Sequence, residues 1–66
     1  MQIQLNGERC ELPEGMNVPA MLAHLGLNAA RVAIERNLEI LPRGQWASTA
    51  VAEGDRYEIV QFVGGG

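Results

Sequence analysis

Three consecutive glycines, Gly64, Gly65 and Gly66, close the sequence directly after an apolar, strand-like run over residues 57–63. This ending offers the α-carboxylate of Gly66 as a reactive group on a segment that has no side chains. Glycine also adopts backbone angles that other residues avoid. The pattern is typical of a carrier protein whose working group is its own carboxylate. A flexible terminus without a function is the alternative, and the glycines alone do not decide between them.

The rest of the composition excludes several other classes of protein. The net charge is −3, and the basic residues are scattered along the chain: Arg9, Arg31, Arg36, Arg43 and Arg56. They do not form the basic stripe that nucleic-acid binding requires. Cys10 is the single cysteine, so no internal disulfide can form and thiolates for a metal site are lacking. A chain of 66 residues has little room for a deep cleft. We therefore expect no enzyme activity, no catalytic residue and no bound metal or cofactor.

The length predicts one small domain over residues 1–66, with residues 64–66 as a flexible C-terminal tail. No apolar run approaches the roughly 20 residues that span a bilayer. The first residues lack the basic stretch and long apolar segment of a signal peptide. We expect a cytoplasmic protein with no membrane partner.

The first third of the chain predicts a hairpin. Residues 1–6 alternate apolar and polar side chains, and residues 8–12 do the same after Asn6-Gly7. An Asn-Gly pair between two such stretches is a strong signal for a two-residue turn. The inward side chains are predicted to be Met1, Ile3, Leu5, Cys10 and Leu12. Cys10 is therefore expected to be a small core residue rather than a reactive thiol.

A short amphipathic helix is predicted after the hairpin. Val18, Met21, Leu22 and Leu25 follow the spacing of one helical stripe. Asn17 is a suitable N-cap, Pro19 fits the first turn, and Gly26 is suited to the position after the end. His24 lies off the stripe and is expected to be a solvated surface residue.

Strands are predicted for most of the remaining chain. Residues 31–36 form a third strand, residues 38–41 a short fourth strand that ends at Pro42, and residues 57–63 the last strand. Trp46 is expected to cover one end of the core. The order of hairpin, helix and further strands predicts an α+β fold, with a mixed sheet of four to five strands and one main helix packed on one face. Parallel pairing of the first and last strands would make this a β-grasp.

The last strand has two different faces. Tyr57 and Ile59 are expected to point into the core, which leaves Val60 and Phe62 on the opposite face. An exposed apolar pair beside the terminal glycines predicts a partner-binding patch. Local packing under a loop or against Trp46 is an equally supported alternative.

Three segments together resemble a known family. They are residues 37–46, which include Pro42-Arg43-Gly44-Gln45-Trp46, the turn over residues 53–56, and the Gly65-Gly66 ending. The sequence is similar over essentially its whole length to the ThiS family, the ubiquitin-like β-grasp sulfur carriers of thiamine biosynthesis. The Pro-Arg-x-Gln-Trp segment is the most distinctive of the three.

The resemblance implies a mechanism and a set of partners. An E1-like enzyme would adenylate Gly66 with ATP and Mg²⁺, and a desulfurase relay would supply sulfur from cysteine. The resulting thiocarboxylate would donate its sulfur to thiazole synthase. Gly65 and Gly64 would be the tail that carries Gly66. An α-carboxylate, with an ordinary pKa of about 3.3–3.7, is an anion at neutral pH and a poor electrophile, so activation by a partner is chemically necessary.

Two alternatives remain open from the sequence. One is a sulfur carrier for molybdopterin or for tRNA thiolation, which would share the β-grasp fold and the glycine ending. The other is a non-catalytic β-grasp interaction module that binds a partner through Val60 and Phe62 and has an inert tail.

Overall fold

The computed structural model describes residues 1–62, and this part of the chain contains five strands and one α-helix. In chain order they are β1 (Gln2–Leu5), β2 (Glu8–Glu11), α1 (Val18–His24), β3 (Val32–Arg36), β4 (Glu39–Ile40) and β5 (Arg56–Gln61). Short 3₁₀ turns occupy Ala29–Arg31 and Arg43–Gln45. The predicted tail residues Gly64, Gly65 and Gly66 lie outside the described residues.

All five strands belong to one mixed sheet in the order β2-β1-β5-β3-β4. Strand β5 is central, because it pairs in parallel with β1 on one side and antiparallel with β3 on the other. The two hairpin partners, β2 and β4, form the edges. The expected α+β arrangement is thus confirmed, with five strands and with parallel pairing of the first and last.

Helix α1 covers one face of the sheet and has the predicted caps. The Oδ1 atom of Asn17 accepts a hydrogen bond from the backbone N–H of Ala20 at 2.9 Å, which satisfies a donor that the first helical turn leaves free. Pro19 lies in the first turn, and Gly26 follows the last turn with a φ of +73°. A positive φ at this position suits glycine, which has no Cβ to clash.

The core lies between α1 and the sheet. Its buried apolar residues come from the helix, from alternate strand positions and from the connecting segments: Ile3, Leu12, Val18, Met21, Leu22, Val32, Ile34, Trp46, Val51, Tyr57 and Ile59. Tyr57, Ile59 and Trp46 are therefore buried as expected. Met1, Leu5 and Cys10 are only half-buried and pack against this cluster from the side. Strand β2 is an edge strand, which explains why Cys10 keeps some exposure.

Both hairpins have two-residue loops with positive φ at each loop residue. Asn6 and Gly7 have φ values of +50° and +82°, and Asn37 and Leu38 have +52° and +73°. The first loop is the one predicted from Asn-Gly. For the second, the predicted start of the fourth strand at residue 38 was wrong, because Leu38 lies in the loop and β4 begins one residue later.

A buried carboxylate connects the second loop to the start of β5. Asp55 is 6% exposed and accepts hydrogen bonds from the backbone N–H of Ala52 at 2.9 Å and from the hydroxyl of Tyr57 at 3.2 Å. Arg36 contacts the same carboxylate through Nε at 3.3 Å, and Asn37 donates to it at 3.4 Å. The carboxylate of Asp55 thus accepts hydrogen bonds from all four of these groups, and they compensate its buried negative charge.

The hydroxyl of Tyr57 gives the fold a dependence on alkaline pH. Burial raises the pKa of the Tyr57 phenol above its ordinary value of 10.0. The unfolded chain therefore loses this proton first, so the contribution to stability is complete below about pH 10 and decreases as the pH rises above it. We expect Tyr57→Phe to cost about 1 kcal/mol at neutral pH and to flatten the alkaline decrease.

Urea unfolding of both proteins between neutral and strongly alkaline pH measures this difference. Tyr57 is the single tyrosine of the chain, so phenolate absorbance in the folded protein reports its titration directly. Equal alkaline slopes for the wild type and the variant would contradict the assignment to Tyr57.

Candidate functional site

Strand β5, which precedes the terminal glycines in the sequence, lies at the centre of the sheet. The side-chain amide of Asn6 pairs with the backbone of Ile59, accepting from its N–H at 2.8 Å and donating to its carbonyl at 3.2 Å. On the other side, Asn37 accepts from the N–H of Arg56 at 2.9 Å and donates its own N–H to the carbonyl of Arg56 at 2.8 Å. The two hairpin asparagines thus extend the pairing of β5 beyond the ends of its neighbours.

Strand β5 presents an apolar surface on the side that the helix does not cover. Val60 is 61% exposed and Phe62 is 53% exposed, whereas Tyr57 and Ile59 are buried on the other side. The backbone N–H of Phe62 donates to the carbonyl of Arg31 at 2.7 Å, so the main chain is still attached to the sheet at the last described residue. Both side chains of this pair are therefore exposed, and binding of a partner by them stays a prediction.

Two further exposed apolar residues come from the adjoining hairpin. Ile40 is 80% exposed on β4 and pairs with Glu35, which in turn pairs with Glu58 on β5. Leu38 is 70% exposed in the loop before it. We name the following set the apolar face: Leu38, Ile40, Val60 and Phe62. They are the large apolar side chains that are exposed within residues 1–62.

The sequence did not reveal the contribution of Leu38 and Ile40 to this face. Alternation places Ile40 on one side of its strand, but only the pairing of Ile40 with Glu35 shows that this side is the open one. No local pattern contains that information, because the pairing depends on the loop at residues 37 and 38.

The distinctive Pro-Arg-x-Gln-Trp segment borders the apolar face. Arg43 donates to the carbonyls of Val32 at 2.9 Å and of Ala29, and its guanidinium lies 4.3 Å from the ring centroid of Trp46. The indole N–H of Trp46 donates to the carbonyl of Leu41 at 3.0 Å. Arg43 and Trp46 line an apolar depression together with Ile40 and Phe62 of the apolar face. The segment therefore has a structural role next to Phe62, the last described residue.

Other groups that could carry chemistry are separate from this face. Within residues 1–62, no group of three or more His, Cys, Asp or Glu side chains is placed to hold a metal ion. His24 is exposed in the last turn of α1, and Cys10 is half-buried on the edge strand β2. In the described part of the chain, no helix has the length and apolar character needed to cross a bilayer. The predicted modified residue, Gly66, lies outside the described residues.

Within residues 1–62, the sheet order, the one covering helix and the central position of β5 define a ubiquitin-like β-grasp protein. The open face of its sheet carries exposed apolar side chains beside the strand that leads to the C-terminal glycines. The model of the ThiS family matches residues 3–66, and the chain belongs to this family.

Individual relatives agree with the family assignment. The sulfur carrier protein ThiS of Escherichia coli is 35% identical over 66 residues, which cover both chains completely. The crystal structure of the thiamine biosynthesis protein (ThiS) from Geobacter metallireducens superimposes with a TM-score of 0.85 at 35% identity and covers both chains completely. A thiazole synthase of Paramagnetospirillum magneticum is 47% identical over 66 residues. The chain spans only 20% of the length of that protein.

Proposed function

We propose that this chain is a sulfur carrier of thiamine biosynthesis and that Gly66 provides the carboxylate that is converted into a thiocarboxylate. Membership of the ThiS family, matched as far as Gly66, is the observation that carries the proposal. Similarity over full length to a sulfur carrier protein supports it. In this role the chain is a cytoplasmic protein co-substrate that is recharged by other enzymes, and it contributes no catalytic side chain.

The proposed chemistry proceeds in three steps. A carboxylate oxygen of Gly66 attacks the α-phosphorus of ATP in an E1-like partner enzyme that uses Mg²⁺, and pyrophosphate leaves. A sulfur nucleophile supplied by a cysteine desulfurase relay then attacks the acyl carbon of the adenylate, and AMP leaves. With a persulfide as this nucleophile, the product is an acyl disulfide. A thiol of the relay then attacks the donor sulfur, the thiocarboxylate of Gly66 leaves, and the donor and the attacking thiol become a disulfide. Adenylation is needed because a carboxylate anion resists nucleophilic attack.

The proposed acceptor of the sulfur is thiazole synthase. Some thiazole synthases contain a stretch similar to the whole of this chain within a longer polypeptide. Joining a carrier to its acceptor raises their effective concentration. This arrangement supports thiazole synthase over molybdopterin or tRNA-thiolation enzymes as the acceptor.

Intact-mass spectrometry tests the proposal directly. The purified chain is incubated with the E1-like enzyme, ATP, Mg²⁺ and a cysteine desulfurase relay. We expect a gain equal to the mass difference between sulfur and oxygen, located on Gly66 by fragmentation. The gain must disappear when ATP is omitted. Absence of the gain, under conditions where an established carrier is modified, would favour an interaction module with an inert tail.

The exposed pair on β5 is proposed to bind the E1-like enzyme. Phe62→Asp would place a charge in an apolar contact, and we expect the affinity for this enzyme to fall at least about tenfold. The fold should be preserved, because Phe62 is already half-exposed. Isothermal titration calorimetry measures the affinity.

Gln61→Asp is the matched control for this substitution. Gln61 is exposed and adjacent, but its side chain is on the opposite side of the strand from Val60 and Phe62. The Gln61→Asp substitution introduces the same charge as Phe62→Asp and should leave the affinity for the E1-like enzyme nearly unchanged. An equal loss for both variants would indicate a general effect of charge, and unchanged affinity for Phe62→Asp would show that the patch is assigned wrongly.

A further inference from the structure

One residue of the apolar face has a backbone conformation that is unfavourable for its side chain. Leu38 has a φ of +73° and is the second residue of the two-residue loop between β3 and β4. Such a loop requires positive φ at both positions, so glycine is the usual residue at the second. Leu38 is also 70% exposed, so burial in the core does not compensate for this conformation.

The chain contains the same loop a second time, with the usual residues. Asn6 and Gly7 connect β1 to β2 with φ values of +50° and +82°, close to those of the second loop. Both loops begin with asparagine, and they differ in having glycine or leucine at the second position. The positive φ values that this kind of loop requires explain the Asn-Gly pair. They do not explain a leucine at residue 38.

Hydrogen bonds of Asn37 hold the second loop in place, and they thereby fix the position of Leu38. Asn37 exchanges two hydrogen bonds with Arg56, at 2.8 and 2.9 Å, and donates a third to Asp55 at 3.4 Å. Backbone conformations of this kind persist where the surroundings fix them, and they concentrate at sites that bind or switch.

We propose that Leu38 is a contact residue for thiazole synthase, at the end of the apolar face opposite Phe62. The choice of partner rests on the proposed function. It also rests on the relatives in which a stretch similar to this chain and a thiazole synthase form one polypeptide. An apolar pocket on the thiazole synthase would receive the leucine side chain, with Ile40 next to it.

The dimensions of the face agree with one continuous interface. Leu38 lies beside the start of β5 and Phe62 just beyond its end, so the two are about 20 Å apart at ~3.3 Å per strand residue. A standard protein interface covers about 800 Å² on each partner, which is a patch roughly 30 Å across. One partner can therefore contact both ends of the face at once.

Leu38→Asn separates binding from folding. Asparagine accepts positive φ more readily than leucine, so the Tm should stay equal or rise by a few degrees. The Kd for purified thiazole synthase, measured by calorimetry on the unloaded full chain, should increase about tenfold. Gly7→Leu is the matched control, because it creates the same conflict in the other loop. It should lower the Tm and leave the Kd unchanged.

Each other outcome overturns the proposal. An unchanged Kd for Leu38→Asn would show that Leu38 makes no useful contact. A loss of affinity for the E1-like enzyme alone would mean that the partner is wrong. A clear decrease in Tm would show that the leucine serves the fold. Because binding is measured on the unloaded chain, a failure of sulfur loading would contradict the proposed function without deciding this question.

Discussion

Deletion of Gly66 is expected to abolish the gain of sulfur mass while leaving the free energy of unfolding unchanged. The proposed reaction occurs on the carboxylate of this residue, and the deletion moves the terminal carboxylate back by one residue. The buried core consists of residues between Ile3 and Ile59, so the deletion removes none of them. Intact-mass spectrometry measures loading, and urea unfolding measures stability.

A change at a different glycine provides the control for this deletion. Gly15 lies in the loop before α1 with a φ of +80° and open space around it, and asparagine tolerates this conformation. Gly15→Asn should load normally. Continued loading of the chain without Gly66, or a clear loss of stability, would contradict the proposed role of this residue.

Replacement of Asp55 by alanine is expected to be the most destabilising polar substitution in the described chain. It leaves the buried hydroxyl of Tyr57 and the guanidinium of Arg36 without their shared partner. Loss of one partner from a buried ion pair costs about 3 kcal/mol. A domain of this size is stable by only about 3–5 kcal/mol. About 0–2 kcal/mol of stability would then remain, so up to about half of the variant should be unfolded, as measured by circular dichroism and urea titration.

Glu58→Ala distinguishes this effect from a simple loss of negative charge. Glu58 lies on the same segment of chain but is exposed, so its removal should change the free energy of unfolding by less than about 0.5 kcal/mol. A similar small effect for Asp55→Ala would show that the buried network contributes little. Because Asn37 belongs to that network, Asp55→Ala should also loosen the loop that contains Leu38.

Local patterns in the sequence predicted much of the fold. The Asn6-Gly7 turn, the cap at Asn17 and the burial of Tyr57 and Ile59 depend on interactions within a few residues. They follow from turn chemistry, helix capping and strand alternation. The order of these elements predicted a mixed sheet with one helix packed on one face, and the resemblance to the ThiS family implied the β-grasp.

The features that were missed depend on contacts between distant parts of the chain. The register of β3 with β5 places Asn37 next to Arg56. The pairing of Arg36 with Glu39 puts Leu38 into the loop, although Leu38 belongs to an apolar, strand-like run in the sequence. The burial of Asp55 depends on Arg36, a residue nineteen positions away. The exposure of Ile40 also follows from pairing alone. Binding by Val60 and Phe62 remains a prediction, since both side chains are exposed without a partner among the described residues.

The central position of β5 has a mechanical consequence. Hydrogen bonds to β1 and Asn6 on one flank, and to β3 and Asn37 on the other, run across the direction of the strand. A force applied to the chain beyond Phe62 would act along β5, perpendicular to the hydrogen bonds on both of its flanks. Many of these hydrogen bonds would then have to break at the same time. The globule should therefore withstand traction applied at its end, and repeated capture and release by successive enzymes need not unravel it.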